Sequence, residues 1–246
     1  MSVNRKIFYE RKSEMKIVHL CLGAFFPDNY SYQENMLPKF HKKQGYDVEV
    51  IASLETFDND GKTCYYSEAK RYTNENDVLV TRLNYKSPDK IYKKLKRFSE
   101  LSQALEMAKP DILFIHNVQF LDMDKVVSYL KRNKKVKVFC DNHADFTNSA
   151  KGFVSRKILH GIIWKHCAKS IEPYTTKFYG VLPARVDFLK EVYGLPEEKC
   201  ELLVMGADDD RVSQASDPAV REAVRKRYKI NDDEILLVTG GKIDHN

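Results

Sequence analysis

The chain has no Cys-x-x-Cys pair, and its five cysteines (Cys21, Cys64, Cys140, Cys167 and Cys200) are scattered and odd in number. That pattern excludes a disulfide framework and a cysteine-based zinc site, and it reads as the reduced thiols of a cytoplasmic protein. Long apolar runs are also missing: none approaches the ~20 residues that a membrane-spanning helix needs. The opening, MSVNRKIFYERKSE, is charged throughout and has no apolar centre, so it does not read as a secretory signal. It is expected to be a loose extension, residues 1–14, ahead of a start at Met15. Internal repeats and low-complexity segments are absent.

Gly-x-Gly-x-x-Gly is absent too. A dinucleotide-binding fold would carry it after the first strand, where the backbone must approach a pyrophosphate. There the chain reads GAFFPDNYSYQEN, with Gly23 alone and bulky Phe25, Phe26, Tyr30 and Tyr32 behind it. An NAD site is therefore disfavoured. The loop has two open readings: a contact surface for a sugar or lipid-linked acceptor, or aromatics packed on the sheet edge.

What is present is enough for a core: 43% hydrophobic residues, with 14 Tyr and 13 Phe. Lys plus Arg number 41 against 35 Asp plus Glu, a formal +6, which permits an anionic partner without naming one. From Met15 onward, short β-branched or aromatic runs alternate with longer helical patterns. Strands are expected at 16–22, 47–52, 77–83, 111–116, 135–141, 170–174 and 200–205, several of them apolar on consecutive positions, as in parallel strands covered on both faces. Between them, the segment 88–108 places Ile91, Leu95, Phe98, Leu101 and Leu105 on one helical stripe. Segments 155–168 and 183–194 read as helices as well, the latter closing on Gly194. Pro38 should kink or restart the helix that Gly45 ends. Alternation of this kind implies an α/β fold, a Rossmann-like doubly wound parallel sheet. Residues 206–218 (GADDDRVSQASDP) are polar and turn-rich and read as a linker. Residues 219–246 then read as one helix and one strand, Ile235 to Val238, running into Gly240 and Gly241. That is too little to bury a core of its own, so the expectation is a domain over 15–205 and the opening of a second over 219–246.

In an open parallel sheet, ligands bind at the carboxyl ends of the strands. The fourth and fifth expected strands end in IHN and CDNHADF, which brings His116 and Asn117, then Asp141, His143 and Asp145, to one rim. An imidazole beside carboxylates can bond sugar hydroxyls or exchange protons near neutral pH, and the same histidines can equally be satisfied structural residues. His160 and His166 do not share a helix face, so no metal site is expected. The basic runs at Lys90, Lys93, Lys94, Lys96 and Arg97 and at Lys131, Arg132, Lys134 and Lys135 read either as solvated faces or as contacts for an anionic membrane surface. No nucleic-acid-binding module is recognisable.

Taken together, these segments resemble the retaining GT-B glycosyltransferases of family 4, the group that includes bacterial polysaccharide and capsule enzymes. MKIVHLCLGAFFPDNYSYQENMLPKFHKKQGYDVEVIAS is similar to the opening strand, acceptor-side loop, helix and second strand of that family. PDILFIHN resembles its Pro-Asp-hydrophobic-His strand, and VFCDNHADF its strand ending in a histidine and aspartate. LKEVYGLPEEKCELLVMGADDD resembles the passage into the interdomain hinge, and LLVTGGKID the first strand and glycine turn of the donor domain. The chain departs from the pattern in lacking a glycine pair after the first strand and a Pro-Asn before Gly206.

The resemblance implies an N-terminal, acceptor-side half of a transferase moving a sugar from a nucleotide sugar to a polysaccharide or lipid-linked acceptor, without a cofactor or metal. It implies that His143 contacts the donor sugar, that Asp145 orients His143 or the acceptor, and that Ser31, Tyr32, Gln33, His116 and Asn117 face the substrates. Gly240, Gly241 and Lys242 would hold donor phosphate, with most nucleotide contacts lying past Asn246, so the chain alone is expected to be inactive. The expected location is the cytoplasm, with peripheral contact to the inner face of the cell membrane through Lys90, Lys93, Lys94 and Arg97. Two other readings stay open: a non-catalytic α/β module binding an anionic membrane surface or partner, and a nucleotide-sugar epimerase of the same fold.

Overall fold

A computed structural model of the chain describes residues 14–58, 60–150 and 152–239. They fall into two compact units divided between Met205 and Gly206. The first unit contains β1 (Lys16–Cys21), β2 (Asp47–Ser53), β3 (Glu55–Phe57), β4 (Thr63–Tyr65), β5 (Lys70–Thr73), β6 (Leu79–Leu83), β7 (Ile112–His116), β8 (Lys137–Asn142), β9 (Thr175–Gly180) and β10 (Cys200–Leu202). Among the described residues, eight of these form one sheet in the order β10-β9-β8-β7-β1-β2-β6-β5, and β3 and β4 make a separate hairpin. Pairing is parallel from β10 to β6, and only β5 runs antiparallel to its neighbour.

Alternation along β1 divides the core in two. Val18, Leu20 and Leu22 join the larger cluster, and Cys21 joins a smaller one with Phe26, Val48, Val50 and Val80. The larger cluster is covered by α3 (Leu101–Ala108), α4 (Met123–Arg132), α6 (Lys165–Ile171) and α7 (Pro183–Glu191), which contribute Leu105, Val126, Ala168 and Phe188. On the opposite face, α1 (Gln33–Lys43) packs on β1 and β2. Beside it, Phe114, Phe139 and Tyr179 line an open groove of about 300 Å³ with His41. The doubly wound expectation holds.

Several local expectations do not. The segment 88–108 is not one helix: α2 (Asp89–Leu95) ends at Lys96, whose φ of 50° is left-handed, and α3 begins at Leu101. The break is held from outside, because the Phe98 N–H bonds the buried Asp122 carboxylate and the Lys96 ammonium bonds the Gly23 carbonyl. Ile91 is consequently exposed, while Phe98, Leu101 and Leu105 are buried. The strand expected at 170–174 lies one element later, at β9: Ile171 completes the buried face of α6 with Cys167 and Ala168, and Glu172–Tyr174 is a single tight turn. Pro38 neither breaks nor restarts α1, which runs through it. The hairpin and β5 were not foreseen; they are short and lie at or beyond the sheet edge.

In the second unit, α8 (Asp209–Ala215) occupies much of the stretch read as a linker, capped by the Asp208 side chain, and α9 (Pro218–Tyr228) is capped by Asp217. Residues 235–239 form no strand, and Ile235, Leu237 and Val238 are exposed. Gly240 and the residues after it lie outside the described residues, as do residues 1–13.

Gly180 ends β9 where α7 turns back onto the sheet. A Cβ there would sit 2.4 Å from the Val186 nitrogen, whereas one at Gly152 would meet nothing within 4 Å. Gly180→Ala is expected to destabilise the fold by about 1–3 kcal/mol or more, and Gly152→Ala to leave it nearly unchanged, as read from urea midpoints.

Candidate functional site at the carboxyl ends of the strands

The loops after β1, β7 and β8 and the start of α1 meet at one rim. Its centre is Asp141, the buried penultimate residue of β8. One carboxylate oxygen accepts from His116 Nδ1 at 2.6 Å; the other accepts the Asn117 backbone N–H at 3.0 Å and lies 3.4 Å from His143 Nε2. The Glu34 carboxylate, in the first turn of α1, approaches the same His143 nitrogen to 3.6 Å. Burial opposes the charged form of His143, but the two carboxylates and the contact with Asp141 outweigh it, and the pKa rises above the ordinary histidine value. Burial likewise pushes Asp141 toward its neutral acid, yet His116 and His143 hold it well below the usual carboxylate range. The carboxylates thus make His143 easier to protonate than an ordinary histidine, and its ring is only partly enclosed.

His116 does not face an acceptor. It is fully buried and continues inward: its Nε2 lies 2.9 Å from His19 Nδ1, and His19 Nε2 lies 3.0 Å from His41 Nδ1. Rings that each carry a proton on Nδ1 satisfy all three bonds in the direction of Asp141. Burial followed by the neighbouring rings lowers the pKa of His19, and burial followed by His116 brings His41 down to about 4. This file of histidines supports Asp141 from behind.

Asn117 has a left-handed φ of 64°, and a Cβ on Gly23 would lie 2.3 Å from its carbonyl oxygen, so the loops after β1 and β7 touch backbone to backbone. Among the described residues, the side-chain oxygen of Asn117 and both polar atoms of the Gln33 amide are buried without a hydrogen-bond partner. Ser31 and Tyr32 are exposed just ahead of α1. Asp145 is brought to the rim but is committed to its own loop. It accepts from the Thr147 N–H and hydroxyl and from the Asn148 N–H, and it pairs with Arg185 at 3.2 Å. It therefore shapes the turn after His143 through Asn148, whose side chain bonds the His143 carbonyl, and not through the His143 ring.

The sequence reading missed Arg82. It is almost wholly buried in β6 and bonds the carbonyls of Ser53 and Phe26 and the Tyr72 hydroxyl, with Asp28 at 3.4 Å. Asp28 in turn accepts from Tyr66 and Tyr72. One guanidinium thus pins the aromatic loop to the sheet. Phe26 is buried, while Phe25, Tyr30 and Tyr32 gather around Phe57. An arginine inside a strand otherwise rich in apolar residues, VLVTRL, was the available signal. Glu34 was missed as well, although an acid in a helix's first turn beside the rim could have been picked out.

The basic stretch at 90–97 is mostly engaged. Lys93 lies over the Tyr65 ring, Arg97 approaches Asp122 to 3.6 Å, and Lys94 is exposed; the side chain of Lys90 lies outside the described residues. Gly240, Gly241 and Lys242 lie outside them too. Among the described residues no helix is long and apolar enough to cross a membrane.

Neither a protein-family model nor a curated protein sequence matches the chain. Among solved structures it is similar to a sucrose-phosphate synthase from Thermosynechococcus elongatus, with TM-score 0.53 and 12% identity over 83% of this chain and 53% of that one. A glycosyltransferase from Rickettsia africae ESF-5 aligns with TM-score 0.48 and 16% identity, covering 89% and 50% of the two chains. The UDP-GlcNAc 2-epimerase of Neisseria meningitidis, solved bound to UDP-GlcNAc, gives TM-score 0.44 and 12% identity over 89% and 55%. This chain spans about half the length of these proteins. The likeness is one of fold: a Rossmann-like domain of the GT-B architecture.

The histidine file makes a pH prediction. The folded state withholds protons from His19 and His41 that the unfolded chain binds below its ordinary value of 6.5. Stability is therefore full above that value and falls as the pH drops toward about 4. Between pH 7 and 5 the loss from His41 should be about 1–2 kcal/mol. His41→Gln should flatten that slope in urea titrations at the two pH values.

Proposed function

We propose that this chain is the acceptor-side half of a nucleotide-sugar-dependent glycosyltransferase of the retaining, family 4 type, acting on a polysaccharide or lipid-linked acceptor. The observation that carries the reading is the bracketed His143: a cation-favouring imidazole at the carboxyl rim, held by Asp141 and Glu34 beside the unpartnered Gln33 amide at the start of α1. The fold shared with a sucrose-phosphate synthase supports it.

In this reading the departing nucleotide diphosphate gathers negative charge as the bond to the sugar lengthens. The His143 ring, whose charged form is favoured by the two nearby carboxylates, stabilises that charge when protonated. His143 and the free Gln33 and Asn117 amide groups bond sugar hydroxyls, and Ser31 and Tyr32 face the acceptor. The acceptor hydroxyl approaches the anomeric carbon on the face the diphosphate leaves, and its proton passes to a departing phosphate oxygen. Gly240, Gly241 and Lys242 contact donor phosphate. The protein works in the cytoplasm, at the inner face of the membrane where a lipid-linked acceptor is held.

Nucleotide diphosphate release by the gene product carrying this chain, over a panel of nucleotide sugars with membrane extract as acceptor, tests this. Release should require the extract and fall by about 10²-fold or more in His143→Ala. No release with any donor from a folded protein would sink the reading. Interconversion of a nucleotide sugar without acceptor would replace it with an epimerase.

A further inference from the structure

Helix α5 (Ser155–Trp164) follows the His143 loop and is wound as a π-helix, an unusual geometry for a run of ten residues. Its inner side is firmly held. His160 is buried between Ser149 and Tyr193, at 2.9 and 3.0 Å; Trp164 is buried, and Ser155 bonds the Ser149 carbonyl. Its exposed side carries apolar residues among the cations Arg156 and Lys157. Phe153 is 76% exposed, Val154 60% and Ile162 63%, and Ile158 and Leu159 are exposed as well. Several large apolar side chains exposed on one well-anchored element mark a candidate interaction site.

The charges nearby narrow the partner. From Phe146 to Ile171 the sequence has no aspartate or glutamate, against Lys151, Arg156, Lys157, Lys165 and Lys169. Arg156, Lys157 and Lys165 line a cavity of about 240 Å³, with Phe146 below Arg156 and Glu191 as its one carboxylate. None of the three pairs with a carboxylate among the described residues. Apolar side chains that can enter a bilayer to the depth of its headgroups, beside cations that can meet lipid phosphates, are the features of a surface-lying membrane helix.

We infer that α5, together with Phe153 and Val154 ahead of it, is the surface on which this protein docks to an anionic lipid bilayer, with headgroup phosphate held by Arg156, Lys157 and Lys165. The surface differs from that of Lys93 and Arg97, whose side chains are engaged with Tyr65 and Asp122. Because α5 follows directly from the loop carrying His143, docking would bring the rim toward a lipid-borne acceptor. The docking itself does not depend on the transferase reading, since it needs no donor.

The test is co-sedimentation of the chain with vesicles of phosphatidylglycerol and phosphatidylcholine, against phosphatidylcholine alone. Binding should require the anionic lipid, weaken as salt is raised, and fall at least tenfold both in the Phe153→Ser, Ile158→Ser, Ile162→Ser triple variant and in Arg156→Glu with Lys157→Glu. Lys93→Glu with Lys94→Glu should bind like the parent, and circular dichroism would establish that each variant is folded. No binding to anionic vesicles, or binding unaffected by the α5 variants, would overturn the inference. So would light scattering that shows the parent chain as a dimer and the triple variant as a monomer, because a second copy would then cover the face.

Discussion

A carboxylate buried at the end of a parallel strand must be satisfied or neutralised, and at Asp141 the fold satisfies it on every side. Burying an isolated carboxylate would cost several kcal/mol even after relaxation. Here His116, the Asn117 N–H and His143 approach its two oxygens from three directions. Each commitment fixes another part of the rim. His116 is backed by His19 and His41, which reach from β1 and α1 through the sheet's second face. The Asn117 bond fixes the left-handed turn after β7, against which Gly23 packs without room for a side chain. His143, on the open side, receives both charge and orientation.

The parallel sheet was legible in the sequence because its central strands are buried on both faces and read as apolar runs, from KIVHLC to ILFIH. The same logic failed where tertiary partners override periodicity. The stripe from Ile91 to Leu105 has helical spacing, but Asp122 and Gly23 capture groups within it and split it in two. SIEPY has strand-forming residues, but its isoleucine belongs to the buried face of the preceding helix. Short edge elements such as β5 bury too little to leave a pattern.

The rim itself was only half legible. Position at strand ends picked out His116, Asn117, Asp141, His143 and Asp145 together, but it could not apportion their roles. Burial separates them: His116 and Asp141 support, Asp145 shapes a turn, and His143 alone of the five is not buried. The two residues that went unnoticed, Arg82 and Glu34, act through distant parts of the chain. Arg82 reaches Phe26 and Asp28 across sequence that no local window spans. The same holds for α5: the sequence showed a helical pattern there, but which of its residues are exposed, Ile158, Leu159 and Ile162, and which buried, His160 and Trp164, came only from the structure.

Asp141, with Glu34, raises the proton affinity of the His143 imidazole at the rim, and the proposed role of His143 turns on this. NMR titration of the histidine rings, with His143 assigned by substitution, tests it most directly. His143 should titrate above 6.5 in the parent protein and fall in Asp141→Asn, with a smaller fall in Glu34→Gln should the first variant prove unstable. A His143 that titrates at or below 6.5 in the parent, or that ignores both substitutions, would contradict the account.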